Sequence, residues 1–179
     1  MGVDRLTEVL DATYDCLTRY GARRTTMDDV ASTMGVSRSS LYQHVRSKDD
    51  ALRRLAERLH AQALDRARRA AAADTTSDRR IRGILVAKLD LILQLAGDSP
   101  HAAELCDEKT RLFGPVCRDF TAELRRLLVT VLTHAGVAEP LDAADICLAL
   151  VAGLEAVPDG KRLLGPACTA LTEGLAATS

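Results

Sequence analysis

An all-α fold of about nine helices is predicted by two observations: which apolar side chains the sequence uses, and how they are spaced. Hydrophobic residues make up 47% of the chain and aromatics only 3%. The core must therefore be built mainly from Leu, Ala and Val, a mixture that suits helices more than strands. These residues recur at intervals of three and four, marking successive helix faces, and Gly, Pro, Ser and Thr punctuate the runs. With 179 residues the chain can bury a real core, and two small domains sharing a continuous helix are expected, residues 1–47 and 48–179.

The first helix is expected over residues 4–20, where Leu6, Val9, Leu10, Thr13 and Leu17 share a face and Gly21 can end it in a left-handed cap. Thr26 stands three residues before Asp29, an arrangement in which hydroxyl and carboxylate satisfy backbone donors at a helix start. A short second helix follows, with Met27, Val30, Ala31 and Met34 on one face and Gly35 as its stop. Ser37 caps a third helix. Ser47 and Asp50 repeat the capping pattern and open a long fourth helix through Leu52, Leu55, Leu59 and Leu64, broken by Thr75, Thr76 and Ser77.

A fifth helix is expected over 79–96, carrying Ile81, Ile84, Leu85, Leu89, Ile92 and Leu93, with Gly97 and Pro100 closing it. Residues 101–113 read as irregular helix interrupted by Gly114-Pro115. A seventh helix, 116–135, presents Phe120, Leu124, Leu127, Leu128, Val131 and Leu132 and stops at Gly136. The last two, 141–157 and 161–176, are separated by Pro158-Asp159-Gly160. There is no internal repeat and no glycine-rich dinucleotide or phosphate-loop pattern.

The net charge of -1 argues against indiscriminate coating of nucleic acid, but it averages over an uneven distribution. From Arg19 to Lys48 there are six cations (Arg19, Arg23, Arg24, Arg38, Arg46, Lys48) and two anions (Asp28, Asp29), a local net charge of +4. The N-terminus lacks the parts of a signal peptide, and the most apolar stretch, residues 146–154, is too short to span a bilayer. Five cysteines, Cys16, Cys106, Cys117, Cys147 and Cys168, are widely spaced with no CxxC pair, which fits reduced thiols. A cytoplasmic protein without a membrane partner is expected.

Two short helices joined by a glycine turn, with Ala31 small enough for close helix contact, have the form of a helix-turn-helix, whose second helix enters the DNA major groove. Ser37, Arg38, Ser39 and Ser40 occupy the beginning of that second helix, the end that approaches base edges. Their short hydroxyls can bond to bases or phosphates without blocking entry, and Arg38 can make a bidentate contact to guanine. Tyr42, His44 and Lys48 are placed to donate to phosphates. Taken singly, Ser37 reads as a cap, Leu41 and Val45 as core and Lys48 as a solvated cation. Arg53, Arg54 and Arg58 read as a solvated helix face rather than as DNA contacts.

The runs Thr26-Met27-Asp28-Asp29-Val30-Ala31, Gly35-Val36-Ser37, Leu41-Tyr42-Gln43-His44-Val45 and Ser47-Lys48-Asp49-Asp50 resemble the DNA-binding region of TetR-family transcriptional repressors. The resemblance covers about 45 residues. Val45 stands where Phe is commoner, and Ala51 where a larger apolar residue is usual. The resemblance implies three small helices, a long connecting helix and a divergent region for ligand binding and dimerisation. It also implies that Thr26 contacts phosphate, that Ser37 to Ser40 with Gln43 face bases, and that Tyr42, His44 and Lys48 hold the DNA backbone.

Residues 78–179 carry no motif of their own. Leu89, Ile92, Leu93, Leu112, Phe113, Val116 and Phe120 are candidates to line a cavity for a small, mostly apolar effector, and equally for plain core. His101, Cys106 and Cys117 raise a thiol- or metal-responsive alternative, although their spacing matches no zinc pattern, and no resident cofactor or metal is expected. The candidate ligand-binding set is Leu89, Leu93, His101, Cys106, Phe113, Cys117 and Phe120. Apolar residues from Ile146 to Leu154 and from Leu163 to Leu175 can form a four-helix interface with a second copy. The expected protein is then a homodimeric repressor on a palindromic operator of double-stranded DNA. An enzyme using Cys106 or Cys117 with His101 or His134 lacks a supporting motif, so no catalytic residue is assigned, and a constitutive architectural binder would carry more positive charge.

Overall fold

The computed structural model describes residues 4–97, 113–157 and 159–177. Among the described residues there are eight helices and no strand: α1 (Arg5–Arg24), α2 (Met27–Met34), α3 (Arg38–Leu41), α4 (Lys48–Ala72), α5 (Ser77–Gly97), α6 (Gly114–His134), α7 (Pro140–Leu154) and α8 (Gly160–Ala177). The irregular helix expected over 101–113 lies outside the described residues, apart from Phe113. The chain divides into two compact units. One contains residues up to Leu59 with the segment from Gln94 to Cys117, and the other runs from His60 to Leu93 and from Arg118 onward.

In the first unit Asp4 caps α1 by accepting from the Leu6 N–H at 3.3 Å. Gly21, expected to end this helix, instead kinks it: φ 80° and ψ 165° break the hydrogen-bond ladder, and the chain re-enters one more turn to Arg24. Thr25 closes that turn by donating both its N–H (3.1 Å) and its hydroxyl (2.7 Å) to the Gly21 carbonyl. At the end of α2, Gly35 adopts φ 66°, ψ 31°, and two bonds, Val36 N–H to the Ala31 carbonyl (3.0 Å) and Gly35 N–H to the Ser32 carbonyl (3.1 Å), satisfy carbonyls the helix would otherwise orphan. Val9, Ala12, Cys16, Met27, Val30, Ala31, Leu41, Val45 and Ala51 form one buried cluster that ties α1, α2, α3 and the first turn of α4 together. Arg58, expected on a solvated face, is instead drawn to α1, pairing with Asp11 at 2.8 Å and donating to the Thr7 carbonyl at 3.4 Å.

The second unit is packed from one face of each of its helices. Ala63 and Ala67 of α4, Ile84, Leu85 and Leu89 of α5, Leu124 and Leu128 of α6, Ala144, Cys147 and Val151 of α7 and Cys168 of α8 are all fully buried. A Cβ on Gly83 would stand 2.6 Å from the Ala70 Cβ, so α4 and α5 meet there at a separation only glycine allows. Arg125 forks onto Asp145 at 2.6 and 2.8 Å, joining α6 to α7, and Lys161 reaches Asp90 at 2.8 Å, joining α8 to α5. Gly114-Pro115, expected as an interruption, opens α6, where a proline's missing N–H is no loss. Pro166 sits inside α8, where the ladder lacks one donor.

Candidate nucleic-acid interface

The interface is built on two caps and a buried pin. Thr26 begins α2 with a complete capping box: the Asp29 N–H donates to Thr26 Oγ1 (3.2 Å), and the Thr26 N–H donates to Asp29 Oδ2 (2.8 Å). The Thr26 hydroxyl also donates to Asp29 Oδ2, at 2.7 Å. These bonds from Thr26, side chain first and backbone second, hold the Asp29 carboxyl below its usual range. They also have a chemical consequence for phosphate recognition, because a phosphate oxygen needs a donor. The hydroxyl must turn away from Asp29 before it can serve as one.

Ser37 caps α3 by accepting from the Ser40 N–H at 3.2 Å, and its oxygen lies 2.9 Å from that of Ser39. The helix that follows has only four residues. What fixes it is burial of one side: Leu41 and Val45 are at most 1% exposed within the cluster shared with α1 and α2. Ser37, Arg38, Ser39, Tyr42 and Gln43 are exposed, and Ser40 and His44 are partly so. Every candidate base-reading side chain thus stands on the outer side of a segment anchored from within.

Arg38 is held in place. Its Nη1 pairs with Asp28 of α2 at 3.2 Å, its Nη2 donates to the Tyr42 hydroxyl at 3.3 Å, and the guanidinium carbon lies 5.6 Å from the Tyr42 ring centre. The Asp28 tether joins the two helices of the motif, and nothing local in the sequence announces a pair ten residues apart. Lys48, read as a phosphate donor, gives one of its ammonium hydrogens to the Arg23 carbonyl at 2.9 Å, closing the end of α1. Two donors remain. Asp50 accepts from Ser47's neighbour, the Arg46 N–H (2.9 Å), and its own N–H donates to Ser47 Oγ (3.1 Å), so α4 starts from a fixed point beside the interface. Arg19, Arg23, Arg24 and Arg46 are exposed in the same unit, which leaves the local positive charge available at the surface.

The described candidate effector residues fall in both units. His101 and Cys106 lie outside the described residues. Leu89, Leu93 and Phe120 belong to the second unit, where Leu89 is fully buried and Phe120 meets the His60 ring edge to face at 5.1 Å between centres. Phe113 and Cys117 belong to the first unit, both half-buried. Among the described residues no three His, Cys, Asp or Glu side chains converge as metal ligands, and no described helix is long and apolar enough to cross a membrane.

Residues 9–60 match the family model for bacterial regulatory proteins of the tetR family. No curated protein matches the chain. Among solved structures, a putative transcriptional regulator from Pseudomonas aeruginosa PAO1 is similar over 97% of this chain and 90% of its own, with 23% identity and a TM-score of 0.75. A TetR transcription regulator from Haloarcula marismortui is similar over 96% and 97%, with 17% identity and a TM-score of 0.76. The transcriptional regulator FadR from Bacillus subtilis, in complex with stearoyl-CoA, is similar over 94% and 96%, with 16% identity and a TM-score of 0.66.

Proposed function

We propose that the protein, whose residues 9–60 match the family model for bacterial regulatory proteins of the tetR family, is a cytoplasmic, homodimeric transcriptional repressor, released from a palindromic operator by a small, mostly apolar effector. The observation that carries the reading is the exposed row Ser37, Arg38, Ser39, Tyr42 and Gln43, set on the four-residue helix α3, its caps and the turn that follows, with Leu41 and Val45 buried on the inner side. Such a row meets the requirement of groove readout: compact donors and acceptors on a rigid support, with one arginine able to fork onto guanine. In this reading Ser37, Arg38, Ser39, Ser40 and Gln43 face bases, while Thr26, Tyr42, His44 and Lys48 hold the phosphates. Residues 1–47 form the reading domain, and residues 48–179 the ligand-binding and dimerisation domain.

Dimerisation through α7 and α8 draws support from α7 itself. Ala143, Ala144, Cys147, Val151 and Leu154 face inward, yet the outer side is also apolar: Ile146 is 49% exposed, and Ala149, Ala152 and Gly153 are exposed. A helix apolar on both sides is one that a partner covers. A two-fold dimer presents two reading helices about one turn of DNA apart. A mostly apolar effector is in keeping with the stearoyl-CoA held by the Bacillus subtilis protein of the same fold. Effector binding in the second domain tilts α4, which starts beside the interface, and by linkage effector and DNA weaken each other reciprocally.

The test is binding of the purified protein to fragments of its own upstream DNA at one fixed salt concentration, beside Arg38→Ala and Tyr42→Ala variants. Saturable protection of a palindrome, lost in the Arg38→Ala variant and weakened in the Tyr42→Ala variant, is the expected result. Absence of any preferred fragment with folded dimer would refute the proposed function.

A further inference from the structure

We infer that the last turn of α1 is a DNA-backbone contact in its own right, in which Arg24 grips the phosphate next to the one that Thr26 holds. This contact rests on the DNA-binding reading of the first unit and adds a residue that reading leaves out.

Gly21 sets the direction of the turn. Its φ of 80° and ψ of 165° lie in a region open to glycine almost alone, so the kink is written into the sequence. After it the chain makes one further turn, Ala22 to Arg24, and that turn is fixed from within. Gly21 is buried, Ala22 is 2% exposed and Thr25 is 1% exposed. Arg23, Arg24 and Thr26 are left on the outside.

Cations at the end of a helix ordinarily serve its unpaired carbonyls. Here other groups take that duty. The Thr25 N–H and hydroxyl both donate to the Gly21 carbonyl, at 3.1 and 2.7 Å, and Lys48 Nζ donates to the Arg23 carbonyl at 2.9 Å. No carboxylate of the described residues pairs with Arg24. Its guanidinium is therefore exposed and uncommitted, on a backbone held at both ends of the turn.

Position decides what such a group meets. Arg24 stands two residues before Thr26 and directly after the residue whose carbonyl Lys48 binds, and Thr26 and Lys48 are both read as phosphate contacts. Two residues span at most about 7 Å, while phosphates on one strand follow each other about 3.4 Å apart along the DNA axis. An arginine, with a fork of donors on a long stem, reaches the neighbouring phosphate from there. A contact of this kind adds affinity and carries no sequence preference.

Fluorescence anisotropy of the full chain, on a mixed-sequence duplex and on the preferred upstream fragment between about 50 and 200 mM salt, checks this. Arg24→Ala should weaken both by the same factor, about fivefold as for one exposed ion pair. It should also lower the slope of log affinity against log salt by about 0.9, and Arg24→Lys should keep that slope. Arg66→Ala, which removes an exposed arginine of the second unit, should change neither affinity nor slope. Gly21→Ala, by denying the kink, should lower the slope as far as Arg24→Ala does, and the double variant no further. If Gly21→Ala does not fold by circular dichroism, the three arginine variants still decide the matter. Should Arg24→Ala match Arg66→Ala, or weaken the preferred fragment alone, the inference is overturned while the sequence preference of the unaltered chain keeps the proposed function. A slope lowered on every duplex with no preferred fragment would uphold this contact and remove the proposed function, and no binding to any duplex would remove both.

Discussion

Replacing Gly35 with alanine tests whether backbone conformation alone fixes the turn between α2 and α3. An ideal Cβ at Gly35 would meet nothing within 4 Å, so sterics between residues contribute nothing. What remains is φ of +66°, a left-handed conformation that costs an L-residue roughly 1–2 kcal/mol. Part of that is offset, because alanine also stiffens the unfolded chain, by about 0.4–1 kcal/mol. The net expectation is a loss of about 1 kcal/mol, or about 2–4 °C in Tm for a chain of this size. Urea unfolding followed by circular dichroism measures it, with hydrogen exchange of the α2 amides reporting on the first unit separately. Gly35→Asn serves as the control, since asparagine visits this conformation more readily and should lose less. A neutral or stabilised alanine variant, an asparagine variant worse than alanine, or a loss above about 3 kcal/mol would each refute the reasoning.

Three further outcomes follow from the same contacts. Asp28→Asn should leave stability unchanged, as both partners of its exposed pair with Arg38 are solvated, but should strengthen binding to non-cognate DNA in fluorescence anisotropy at fixed salt, by removing a like charge from the phosphates' side. Leu124→Ala, at a fully buried position in the second unit, should cost about 2–5 kcal/mol in urea unfolding, whereas Ile146→Ser on the exposed side of α7 should spare the fold of the single chain and weaken the proposed dimer in light scattering. Asp29, Asp50 and Asp145 all have lowered pKa values, held there by bonds from Thr26, from the Arg46 N–H and from Arg125 respectively. Folded values below the unfolded value of about 3.9 mean that the unfolded chain binds more protons in the window beneath it. Their contribution is complete above that pH and is lost as pH falls toward the folded values, so the urea midpoint should drop from pH 5 to pH 3, and less steeply in Thr26→Val, which lacks the hydroxyl donor to Asp29.

What the sequence made legible was whatever is encoded locally. The Thr26–Asp29 cap, the Gly35 turn, the Ser47–Asp50 start and the apolar faces of α5 and α6 each depend on residues within a few positions of one another, and each appears in the structure. Gly21 was harder, because a glycine with positive φ can end a helix or merely kink it, and the choice rests on whether Thr25 can seal the extra turn. Gly114-Pro115 was ambiguous in the same way, since proline both breaks helices and begins them. The contacts that shape the interface were hidden for a different reason. Arg38 with Asp28, Lys48 with the Arg23 carbonyl and Arg58 with Asp11 join residues 10, 25 and 47 apart, and no local pattern marks them.

The hold of Asp28 and Tyr42 on Arg38 turns recognition into an exchange. For a chain that reads DNA as proposed, the arginine meets every base pair already partnered, and it transfers only where guanine outcompetes the aspartate it must leave. On other sequences the guanidinium keeps its resident carboxylate, and the protein rests on phosphates alone. The pair is solvated and worth little by itself, so it biases the exchange without blocking it. A weaker grip in absolute terms is the consequence, together with faster departure from wrong sites, the balance a regulator needs when it must search a long polymer for one short address.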